Sequence, residues 1–103
     1  MKNMNKQKNE IARWRSRIDK IDRNMVIELN KRAICVDKIG RIKKQTGINV
    51  YSPKREKEVL QNVSAINRGP FSRCAVRKIF SCIIFESRNF EHVKLKKKSM
   101  KKG

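Results

Sequence analysis

Arg32 and Lys43 stand eleven residues apart. In a helix that is three turns, which puts both on one face with Val36 and Ile39 or Gly40 between them. Their Cα atoms would lie ~16 Å apart, a gap that two long cationic side chains can close around a small dianion. The stretch "YSPKRE" places Arg55 and Glu56 in the first turn of a Pro-initiated helix, where free backbone N–H groups favour an anion. Phe80, Ile84, Ser87 and Glu91 follow steps of four, three and four, so a Ser and a Glu continue an apolar stripe. Polar groups there need partners, either solvent at an emerging helix end or a ligand in a polar cavity. The competing explanation for Arg32 and Lys43 is a solvated basic edge.

Binding and positioning, rather than covalent or metal chemistry, is what this set offers. The three cysteines, Cys35, Cys74 and Cys82, form no CxxC pair, and with one histidine, His92, there is no zinc-type ligand set. Reduced, buried, structural cysteines are expected, with no metal and no cofactor.

These residues must be positioned by helices. From about Asn9 to Lys44 there is no proline and one glycine, Gly40, while Ile11, Trp14, Ile18, Ile21, Met25 and Leu29 recur at alternating steps of three and four. One amphipathic helix of ~50 Å is predicted, too long for a compact monomer of 103 residues. A partner helix is therefore expected along it. Gly47 in "QTGIN" ends that helix, Ser52 caps and Pro53 opens a short one, and Gly69-Pro70 in "NRGPFS" breaks it. Ser72 caps a third helix carrying Ala75, Val76, Ile79, Phe80, Ile83, Ile84 and Phe90. After Val93 the sequence "KLKKKSMKKG" reads as a frayed or disordered basic tail, 94–103. The class is all-α, with one very long, one short and one medium helix.

With 28 Lys+Arg against 9 Asp+Glu the formal charge is +19, which admits a nucleic acid, a membrane surface or a small polyanion as partner. An AT-rich coding bias toward Lys, Asn and Ile is the competing explanation. The opening "MKNMNKQKNE" has no apolar segment of the signal-peptide kind and no run of ~18 apolar residues occurs, so the expectation is a cytoplasmic protein. A basic nucleic-acid binder is disfavoured because the tail has no aromatic residue after Phe90 for base stacking and no helix-turn-helix or zinc motif is visible.

The joint order of these features resembles the all-helical chorismate mutases of the AroQ class. An Arg stands before "IDKID", followed by "LNKR", "IGRIK", "VYSPKREKEVL", the "NRGP" break and a final "ESRNFE", so the resemblance covers about Ile11 to Glu91. It is nearest to mutase modules fused to prephenate dehydratase or to the first synthase of the shikimate route. It implies a mutase domain over 1–93 and a Claisen rearrangement of chorismate to prephenate, in an intertwined homodimer whose sites draw on both chains. By position it implies that Arg15 of one chain and Arg32 of the other hold the substrate carboxylates, and that Lys43 and Glu91 face the ether oxygen of the breaking bond. Arg55 and Ser87 would support the carboxylates and the pocket, and Glu56 would accept the ring hydroxyl.

Ser52 stands where some members have an Asp that assists with that hydroxyl, leaving the contact weaker or supplied by Ser52 itself. Phe85 occupies a spot usually small or polar, and the place of Glu91 is Gln in some members. Spacing bears on the shared sites independently. Arg15 and Arg32 are seventeen residues apart, ~25 Å along one straight helix, and cannot meet on one small ligand. An inactive mutase-like subunit regulating another shikimate enzyme is the other alternative, and association with such an enzyme is open in either case.

Overall fold

A computed structural model describes the backbone of residues 2–102 and the side chains of residues 3–91. Three helices make up the fold, α1 (Lys2–Thr46), α2 (Pro53–Ile66) and α3 (Arg73–Lys102), with no strand among the described residues. The all-α expectation holds, as does the division into three helices. Two compact units are distinguished, Met1–Ile34 and Cys35–Gly103.

The first unit is the N-terminal part of α1. The helix begins at Lys2, ahead of the expected start near Asn9, because Met4, Lys6, Gln7 and Glu10 are good helix formers and neither Pro nor Gly interrupts them. Its apolar stripe is uncovered in this chain: Trp14 is 59% exposed, Ile21 55% and Leu29 40%. The Arg17 guanidinium lies 4.9 Å from the centre of the Trp14 ring, a cation–π contact on that stripe.

In the second unit the end of α1 is closed by a left-handed glycine. Gly47 has φ 75, and the Ile48 N–H donates to the Lys43 carbonyl at 2.8 Å, the longer bond of a Schellman stop. Ser52 then caps α2, its Oγ accepting from the Arg55 N–H at 3.2 Å with Pro53 in the first turn. Ser72 does the same for α3, accepting from the Ala75 N–H at 3.0 Å. Between them Asn67 shapes the connection, donating to the Phe71 carbonyl at 2.8 Å and accepting from the Gly69 N–H at 3.1 Å.

Helix α2 packs on α3. Val59, Leu60, Val63, Val76, Phe80 and Ile83 are half-buried, and Ile84, at 7% exposure, is the one buried hydrophobic residue among those described. So small an interior corrects the expectation for the cysteines. Cys35, Cys74 and Cys82 are free thiols, as expected, but exposed, because a single chain encloses too little volume to cover them. The bounds of α3 take in 94–102, whose side chains lie outside the described residues, as does Gly103; the expected frayed tail falls there. No helix among the described residues is long and apolar enough to cross a membrane.

Candidate active site

The second unit gathers most of the residues singled out by type and spacing. Glu91, on α3, lies against the backbone of α1 at Gly40: a Cβ built on Gly40 would sit 3.6 Å from the Glu91 carboxyl carbon. That close approach takes water from the carboxyl and raises the Glu91 pKa above its ordinary value. The Lys43 ammonium, one turn beyond Gly40, opposes the shift, and the Asp37 carboxylate, one turn before it, adds to it. Asp37 is itself paired with Arg41 at 3.2 Å. Lys43 is held from the other side, its Nζ donating to the Val50 carbonyl at 3.4 Å.

Arg55 and Glu56, adjacent in sequence, engage different partners. The Arg55 guanidinium reaches Glu58 at 3.5 Å along α2, a long and exposed contact worth little by itself. Glu56 reaches α3, where Arg88 Nε lies 3.2 Å from its Oε2. The same Arg88 guanidinium sits over the Tyr51 ring, 5.3 Å from its centre. Ser87 is half-buried and its hydroxyl donates to the Ile83 carbonyl at 2.8 Å, the back-bond typical of a helical serine. Ser52 is engaged as the α2 cap.

Arg15 and Arg32 belong to the first unit, Arg15 exposed and Arg32 half-buried. Sequence reasoning passed over three contributors. Gly40 and Arg88 stood inside the quoted motifs "IGRIK" and "ESRNFE" without being assigned a task, and Asp37 carried no signal beyond its charge. No group of three or more His, Cys, Asp or Glu side chains that could hold a metal ion occurs among the described residues.

The profile of the family described as chorismate mutase type II matches residues 14–92. This chain belongs to that family. It is 32% identical over 79 residues to a bifunctional chorismate mutase/prephenate dehydratase of Aquifex aeolicus, covering 73% of this chain and 22% of that protein. The corresponding bifunctional protein of Neisseria gonorrhoeae is 38% identical over 72 residues, 70% of this chain and 19% of that one. The chain thus spans about a fifth of the length of these two relatives. A solved structure of chorismate mutase from Thermus thermophilus superposes with a TM-score of 0.78 at 35% identity, covering 81% of this chain and 94% of that one.

Gly40 yields a test of the packing around Glu91. Its φ is not positive, and the nearest atom to an added methyl would be at ordinary contact distance. Gly40→Ala is therefore expected to stabilise the protein by about 0.5–1 kcal/mol, the helix-propensity difference, read as a higher urea midpoint at unchanged slope. A lower midpoint would mean that Glu91 approaches α1 more closely than this.

Proposed function

We propose that the chain catalyses the rearrangement of chorismate to prephenate, as a homodimer with two sites that each use residues of both chains. The observation that carries the reading is the placement of the Glu91 carboxyl against α1 at Gly40, one turn from Lys43, where burial raises its pKa against the opposing influence of the Lys43 ammonium. Two hydrogen-bond donors of this kind suit an ether oxygen that gains negative charge as its bond to carbon breaks.

A pericyclic step needs no nucleophile or cofactor. What it needs is a substrate held in its compact reactive conformer and a fixed environment for the developing charge. Arg32 and the partner subunit's Arg15 hold the two carboxylates, Arg55 and Ser87 support them and the pocket wall, and Glu56 and Ser52 take the ring hydroxyl. Residues 1–93 form the catalytic domain and 94–103 a basic tail.

The dimer is supported by the uncovered apolar stripe in the N-terminal part of α1, where Trp14, Ile18 and Ile21 are exposed and offer a surface to a twofold mate. The fused relatives support association with a prephenate-consuming enzyme, and the cytoplasm suits such a step. The test is direct: purified protein is expected to consume chorismate, followed by loss of its ultraviolet absorbance, with prephenate as the product. A salt-sensitive gel shift on nucleic acid without turnover would overturn the proposal.

A further inference from the structure

We infer that Arg88 is a positioning residue that sets the orientation of the Glu56 carboxylate toward the substrate's ring hydroxyl, with Tyr51 as the platform that holds Arg88. The inference rests on the proposed reaction and adds a residue to it. Three separate segments meet here: Tyr51 from the connection after α1, Glu56 from the first turn of α2, and Arg88 from α3. Arg88 is the link, its Nε lying 3.2 Å from Glu56 Oε2 in an ion pair while its Cζ lies 5.3 Å from the centre of the Tyr51 ring.

Stability is a poor reason for this arrangement. The Arg88 side chain is 48% exposed and that of Glu56 24%, and ion pairs so open to solvent contribute little to folding. Orientation is a better one. An ionised carboxylate has two acceptor oxygens. With Oε2 engaged by Arg88, the carboxylate is fixed about its last torsion, which otherwise rotates broadly, and Oε1 is the oxygen presented to a hydroxyl. Arginine suits the position because a planar guanidinium can stack on a ring and donate from its edge at once, whereas an ammonium is a point charge without a plane. Arg88 needs no contact with substrate in this role.

The experiment is a double-mutant cycle on the intact dimer, measuring kcat and KM for chorismate with wild type, Arg88→Ala, Glu56→Gln and the pair. Inhibition constants for two dicarboxylate analogues, with and without the ring hydroxyl, are measured on the same proteins. Arg88→Ala is expected to lower kcat/KM about three- to fivefold, the size of coupling such a pair supports. It should have almost no further effect once Glu56 is Gln, and should weaken the hydroxylated analogue while leaving the other unchanged. Arg88→Lys should fail to rescue.

If Arg88→Ala does not fold, judged by helicity and melting, Tyr51→Leu carries the same cycle with a smaller effect in the same direction. Equal weakening of both analogues, or fully additive losses in the cycle, would overturn the inference while leaving the mutase activity standing; those results would mean Arg88 acts on a carboxylate or on the fold. A wild-type protein without chorismate turnover would overturn the proposed reaction, and this inference with it.

Discussion

Mixing Arg15→Ala protein with Arg32→Ala protein is expected to restore activity that neither has alone. Under the proposed reaction each single variant should lose activity by on the order of 10²-fold or more, because a substrate carboxylate would be left without its cation. The rescue follows from the helix. Arg15 and Arg32 lie on the continuous α1, within one unit of the chain, and seventeen residues of helix separate their Cα atoms by ~25 Å. One small dianion cannot touch both in the same chain. In a mixed dimer, one site receives Arg15 from the Arg32→Ala chain and Arg32 from the Arg15→Ala chain and is intact, while the other lacks both. Random exchange at equal concentrations makes half of the dimers mixed, so about a quarter of wild-type activity should return. Subunit exchange is verified separately by mass-tagged chains. No rescue after full exchange would mean that each site is built within one chain.

Activity is expected to fall as pH rises through a single ionisation, that of Glu91. Only the protonated carboxyl can donate to an oxygen that becomes negative; the ionised form would repel it. The sign follows from the packing. Burial against Gly40 raises the Glu91 pKa as the largest influence, Lys43 lowers it and Asp37 raises it, with a net upward shift. The active protonated form is therefore dominant on the acidic side and persists to higher pH than an ordinary carboxyl would allow. Glu91→Gln, which donates at every pH, should abolish the alkaline decline. Glu91→Ala should cost about 10²–10³-fold in kcat at low pH, the usual loss for one donor to a developing oxyanion. Asp37→Asn removes a neighbouring negative charge and should move the decline to lower pH without changing the acidic plateau. A wild-type alkaline limb retained in Glu91→Gln would remove Glu91 from the role of donor.

Local chemistry made much of the molecule legible in advance. Ser52, Ser72 and Gly47 act through hydrogen bonds that close within three to five residues, so their effect is written in the adjacent sequence, and the caps and stop fall where they are predicted. The family was likewise legible in the order of the motifs, and its profile matches residues 14–92. The start of α1 lies ahead of the first apolar repeat for the same local reason in reverse, since periodicity marks where an apolar face begins, while the backbone goes on as a helix through polar residues that favour it. Long-range packing was not legible. Whether Glu91 would be raised or lowered depends on its approach to Gly40 and on the competition between Lys43 and Asp37, groups about fifty residues away along the chain whose distances no periodicity specifies. The division of Arg55 to Glu58 and Glu56 to Arg88 was equally hidden, because adjacent residues on a helix point about 100° apart and meet different neighbours. Burial was hidden most of all: an apolar stripe states that a face should be covered, and only the folded chain shows that its own helices leave Trp14, Cys35 and Cys82 uncovered.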